Sequence, residues 1–214
     1  MRQSASRVTK KNMGTNEQFQ MAMTKCRNVF ADKLRDYGAS WRILRPSSVT
    51  DQILIKAKRI RSLEVTGVSM VGEGIYPEFM GIVNYGIVGL IQLEMGYADT
   101  EDIDNKRAME LYDAYAKRAL ELMLKKNHDY NEAWRSMRVS SYTDFILTKL
   151  NRTKQIEGNN GMTIVSEGID ANYLDMINYA VFGLIRLDEA EAEKDTCVSI
   201  SAEPSVETTE NTEA

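Results

Sequence analysis

Apolar side chains recur along this chain at helical intervals. Phe19, Met23, Cys26 and Phe30 are spaced three or four residues apart, which puts them on one face of a helix. The spacing predicts a first helix over about 17–36, closed by Asp36-Tyr37-Gly38, because glycine accepts the left-handed cap conformation. Ile53, Leu54, Ala57 and Ile60 share one arc of a second helix. Asp51, Lys56 and Arg59 lie on its other side, within about 140° of one another. Ser48 and Thr50, just ahead of Asp51, predict the start of that helix. Residues 82–93 are apolar almost all round with Asn84 embedded, and a helix of that kind belongs at the centre of a fold.

The same three-part pattern then returns. Lys33, Asp36, Tyr37, Trp41, Arg42, Arg45, Thr50, Asp51, Lys56 and Arg59 align without a gap on Lys126, Asp129, Tyr130, Trp134, Arg135, Arg138, Thr143, Asp144, Lys149 and Arg152, at a constant offset of 93. One inserted residue later, Glu73-Gly-Ile aligns on Glu167-Gly-Ile, Asn84-Tyr85 on Asn178-Tyr179, and Gly89 on Gly183. Self-similarity over this length signals a duplicated structural unit. The expected fold is therefore all-α: two tandem three-helix repeats packed as one pseudo-symmetric helical bundle. The third helices should face each other at its middle, with Gly89 and Gly183 permitting close approach. The first helix of the second copy is expected over about 103–129. Residues 1–16 read as a disordered basic leader, 17–96 as the first repeat, 97–187 as the second, and 188–214 as a disordered acidic tail.

Composition sharpens this picture. The formal net charge is −4, but the leader carries four cations and no acid, and residues 188–214 carry nine acids and one lysine, so the segment between them is neutral. A neutral core argues against non-specific nucleic acid as a direct partner, which would need a basic face. No apolar run is long enough for a bilayer span or a secretion signal, which makes a soluble cytoplasmic protein with no membrane partner the expectation. Cys26 and Cys197 have no metal-ligand spacing and read as free thiols. Homo-oligomerisation is compatible with all of this.

The residues kept in both copies are the candidates for chemistry. Asp36/Asp129, Asp51/Asp144 and Glu73/Glu167 are carboxylates drawn from several segments, as a helical Mg²⁺ site requires; helix capping and solvated ion pairs are the competing reading. Arg42, Lys56 and Arg59, with Arg135, Lys149 and Arg152, suit phosphate oxygens and suit intramolecular salt bridges equally well. Tyr37, Trp41, Tyr130 and Trp134 can stack on a base or close a helical corner over the core. Asn84 and Asn178 sit in apolar helices, where an unpaired amide is costly, so each should have a partner. His128 has no counterpart in the first copy and reads as a surface residue. A Gly-rich phosphate loop and a nucleophile–histidine set are both absent.

The run Lys-x-x-Asp-Tyr-Gly-x-x-Trp, then Asp-x-x-x-x-Lys-x-x-Arg, then Glu-Gly-Ile and Asn-Tyr, resembles the nucleotide modification associated domain 1 family. That domain of unknown function is common in Bacteroidetes and phages. The resemblance spans about 17–187 in both copies. It implies a helical domain associated with nucleotide or DNA modification, similar to MazG-type all-α nucleotide pyrophosphatases, although their Glu-x-x-Glu pair has no counterpart here. The family's third-helix pattern matches Glu167, Asp175, Asn178 and Tyr179, with Ala171 in place of a middle acid. In the first copy Glu73, Asn84 and Tyr85 match, and Pro77 and Gly81 replace both aspartates.

Two readings follow. In the first, the chain is a Mg²⁺-dependent nucleotide phosphohydrolase or pyrophosphatase. Asp129, Glu167 and Asp175 would be its catalytic acids, and Asp144 would join them around the metal. Tyr37, Trp41, Arg42, Lys56, Arg59, Tyr130, Trp134, Arg135, Lys149, Arg152 and Asn178 would hold a nucleotide or another phosphorylated small molecule. In the second, it is a non-catalytic binding or assembly module whose ligand the sequence does not name.

Overall fold

A computed structural model describes residues 13–69 and 72–200. Among the described residues there are six α-helices, two single 3₁₀ turns and no strand. The first copy contributes α1 (Thr15–Tyr37), a turn at Ser40–Ile43, α2 (Pro46–Thr66) and α3 (Tyr76–Met95). The second contributes α4 (Asn105–Tyr130), a turn at Ala133–Ser136, α5 (Val139–Gly158) and α6 (Ile169–Ile200). This is the duplicated all-α arrangement expected. No helix among the described residues is long and apolar enough to cross a membrane.

The expected helix ends hold at α1 and α4 and move elsewhere. Gly38 (φ 62°) closes α1 by donating its N–H to Leu34 O, and Asn131 (φ 46°) closes α4 in the left-handed region. The second helices begin before Ser48 and Thr50: Arg45 and Arg138 precede their first turns, with Pro46 at the opening position of α2, where its missing N–H costs nothing. Two expected disordered boundaries also shift. Thr15, placed in the leader, is buried at the start of α1. The last helix runs to Ile200 instead of leaving the fold at 187, and just past that point Glu189 is held by Gln18, Arg135 and Arg186. The rest of the expected leader and tail, 1–12 and 201–214, lies outside the described residues.

The two copies meet around a pseudo-two-fold axis, and α3 and α6 make the most extensive helix contact along it. The ring of Tyr173 lies against Gly89, where a Cβ would come within 2.7 Å of it, and the ring of Phe79 lies against Gly183 at 3.0 Å. Phe79 and Tyr173 are equivalent positions, as are the two glycines, so each copy seats an aromatic ring on the other's glycine. The second helices repeat the exchange. Thr143 donates to Glu64 (2.9 Å) and Thr50 to Glu157 (2.6 Å), while Arg61 pairs with Asp144 (2.5 Å) and Lys154 with Asp51 (2.8 Å).

That crossing makes stability depend on pH. Burial pushes the Glu64 and Glu157 carboxyls above the ordinary value, opposed by the threonine hydrogen bonds and assisted by Asp144 and Asp51 respectively. A raised folded-state pKa means a contribution that is complete below the unfolded pKa and is lost as pH rises through the folded one. The double variant Glu64→Gln and Glu157→Gln, which keeps an acceptor for each threonine, should therefore be more stable than wild type in urea at pH 7–8. The gain should vanish by about pH 4. A constant gain across that range would contradict the assignment.

Candidate functional site

In the second copy Lys126 of α4, Lys149 of α5 and Asp175 of α6 meet in the groove where the three helices come together. Phe145, Lys149 and Arg152 are three or four residues apart on α5 and share one face of it. Asp175, one turn before Asn178 and Tyr179 on α6, is only 5% exposed and accepts from Lys149 at 2.6 Å and from Lys126 of α4. Burial opposes charge on Lys126, yet the hydrogen bond and charge of Asp175 carry its pKa above the usual lysine value, with Tyr179 and Glu167 adding to the effect. Tyr179 is raised by burial and then by Asp175, with Lys126, Tyr130 and Arg152 also close enough to act on it. Its ring packs on Phe145 with centroids 5.4 Å apart. Tyr130 at the rim is 70% exposed. Arg152 is exposed and makes no hydrogen bond or ion pair with the described residues. The groove thus holds two lysines on one buried carboxylate, with an unpaired arginine and an exposed aromatic ring beside them.

The first copy builds the same corner and fills it from within. Gly81 stands where the second copy has Asp175, and the stem of Lys56 occupies the freed space: a Cβ on Gly81 would meet it at 2.5 Å. The missing acid is replaced from one turn earlier by the buried Glu78, which takes Lys56 at 3.4 Å and also takes Arg59. Arg59 reaches Glu73 as well, at 3.4 Å. Position 78 corresponds to 172, and Asn172 turns back to its own helix, donating to Gly168 O at 2.9 Å. The same two cations, Lys56/Arg59 and Lys149/Arg152, therefore share a side-chain anion in one copy and lack a shared one in the other.

Other candidates belong to the fold. Trp41 and Trp134 are buried, and Trp134 stacks on Phe182 at 4.4 Å, so neither face is open to a base. Arg42, 2% exposed, is clamped by Asp102, Gln92 and Gly96 O. Arg135 is held by Glu132, Glu189, Thr15 and Gln18. In both cases residues at or just before the other copy's first helix lock the corner arginine. Tyr37, half exposed, sits at the first copy's filled corner, where burial, Tyr85 and Asp36 raise its pKa.

The four carboxylates expected around Mg²⁺ do not gather. Asp144 lies at the inter-copy crossing with Arg61, Asp129 is exposed beside His128, Glu167 is exposed, and Asp175 is already neutralised by two lysines. Among the described residues no group of three or more His, Cys, Asp or Glu side chains could hold a metal ion. A preformed Mg²⁺ site does not fit these residues, because Asp144 and Asp175 are spent on separate cations and the exposed Asp129 and Glu167 do not join them.

The two asparagines diverge for a reason visible in the repeat. Asn84 donates to Cys26 O (3.1 Å) and accepts from Tyr112 OH (2.8 Å). The position equivalent to Tyr112 is Phe19, which has no hydroxyl, and neither polar atom of the buried Asn178 has a partner among the described residues. The expectation that both amides are satisfied is thus corrected. In urea titrations Tyr112→Phe should lose about 1–3 kcal/mol by orphaning Asn84 Oδ1, whereas Asn178→Leu should gain about 1 kcal/mol. A loss on replacing Asn178 would show that its amide is in use.

Glu78 was missed from sequence because it does not align with the acid it replaces, and Lys126 because lysines on a helix surface are usually solvated. The retention of Lys33 and Lys126 in both copies was the signal that could have found the latter. A family profile described as nucleotide modification associated domain 1 matches residues 33–93 and 126–187, together more than half of the chain. No curated protein and no solved structure matches it.

Proposed function

The chain belongs to the nucleotide modification associated domain 1 family, and on that premise we propose that its second copy binds the phosphate of a nucleotide between Lys149 and Arg152, with Tyr130 beside the base. The observation that carries this reading is the first copy, where the equivalent cations hold the carboxylate of Glu78. Asn172 leaves that place to an outside anion. The first turn of α6 adds the favourable end of a helix dipole, and Lys126 with Lys149 leaves one positive charge beyond what Asp175 cancels. An exposed tyrosine stacks on any base, so it supports nucleotides as a class without selecting one.

The proposal concerns binding. Turnover is a separate question, answered by following pyrophosphate in the same samples. Calorimetry with a panel of nucleoside mono- and triphosphates at low salt should show one site per chain. Arg152→Ala should weaken it by about tenfold or more, the size of one lost charge-assisted hydrogen bond. Asn172→Glu should abolish it by installing the first copy's internal anion. No heat with any nucleotide, or full affinity in Asn172→Glu, would sink the reading.

A further inference from the structure

The two copies hold the same loop in two states. In the first, Arg59 binds Glu73, in the last part of the α2–α3 loop, while also holding Glu78. In the second, the equivalents Arg152 and Glu167 are both exposed and make no pair with each other. The α5–α6 loop stands away from the body: Met162 is 71% exposed, Val165 94% and Ile164 fully. Three apolar side chains within four residues left in water are a cost that a covered state would remove. A turn at the α5 end of the loop and a glycine at its α6 end give it points on which to swing. Asn160 (φ 54°) and Gly161 (φ 79°) form a tight turn off α5, and Gly168 precedes α6.

The geometry points to residues 159–168 as a loop that closes over the second-copy groove when an anion lies between Lys149 and Arg152, its Glu167 then pairing with Arg152 as Glu73 pairs with Arg59. The sequence of events follows from charge. Without an anion Arg152 is solvated. With one, the guanidinium is drawn to the groove wall, where its remaining N–H groups face the loop. The first copy shows that one arginine serves both carboxylates at once. This inference rests on the phosphate-binding reading for its natural trigger, but the closure can be tested without it, because Asn172→Glu supplies an anion from within the chain, as Glu78 does in the first copy.

Hydrogen exchange measured by mass spectrometry reads the loop directly. In ligand-free Asn172→Glu, the amides of residues 160–168 should exchange about tenfold or more slowly than in wild type. Adding Glu167→Gln to that variant should return them to the wild-type rate. If Asn172→Glu folds and its loop exchanges as fast as wild type, or if Glu167→Gln leaves the protection intact, the closure is wrong whatever nucleotides do. Should Asn172→Glu not fold, Glu73→Gln provides the converse: the amides of residues 72–75 should exchange faster than in wild type, and an unchanged rate overturns the proposal. With inorganic pyrophosphate added to wild type, protection of 160–168 that Glu167→Gln removes supports anion-triggered closure. Calorimetric binding without protection overturns it. Absence of binding counts against the phosphate reading and leaves the Asn172→Glu result to decide the loop.

Discussion

Replacing Gly89 by alanine should destabilise the fold by about 3 kcal/mol, the upper part of the range for forcing a methyl group into a packed core. The new Cβ would lie 2.7–3.1 Å from three ring carbons of Tyr173. That ring cannot withdraw, because its hydroxyl is fixed to Thr50 at 2.8 Å and the side chain is fully buried. Alanine is the better helix former by about 1 kcal/mol, so a net loss in urea titrations is a lower bound on the steric cost. Gly183→Ala should cost less, since its Cβ would meet Phe79 at 3.0–3.2 Å and that ring carries no hydroxyl anchor. In a Tyr173→Ala background the Gly89 substitution should become nearly neutral. Equal costs in both backgrounds would mean that the copies do not dock through this ring.

The physics of the repeat explains what the sequence disclosed. Periodicity located the helices, and the constant offset disclosed the duplication, because both depend on many residues acting alike. The central glycines were legible for the same reason: an apolar helix with a repeated glycine has few other uses. The candidate site was legible only where the copies agree. Lys149 and Asp175 converge, with Arg152 on the same face of α5, but Asp144 shares the motif and faces the inter-copy crossing, since a residue eight places before Arg152 can serve another neighbour. Trp134 and Arg135 were kept for the corner, and nothing in one-dimensional spacing separates a buried arginine clamped by Glu189 from one waiting for phosphate. The compensation of Gly81 by Glu78 was hidden because it crosses a helical turn, a shift that alignment registers only as two unrelated differences.

Asp175→Asn should separate the roles proposed for that carboxylate more sharply than any other change. As built, Asp175 is buried between Lys149, whose side chain is 15% exposed, and Lys126, 43% exposed. Breaking a fully buried pair costs about 3–5 kcal/mol; with one lysine reaching solvent the loss should be nearer 2 kcal/mol, and smaller at high salt. The asparagine keeps the shape and removes the charge, so the groove gains one net positive unit. If Asp175 balances cations beside a phosphate site, the variant should bind nucleotide and inorganic pyrophosphate more tightly than wild type, and either anion should restore its thermal stability. If Asp175 instead ligates a metal that carries the phosphate, affinity should fall and added anion should restore nothing. The sign of the change in affinity therefore decides between a carboxylate that tunes the groove and one that takes part in its chemistry.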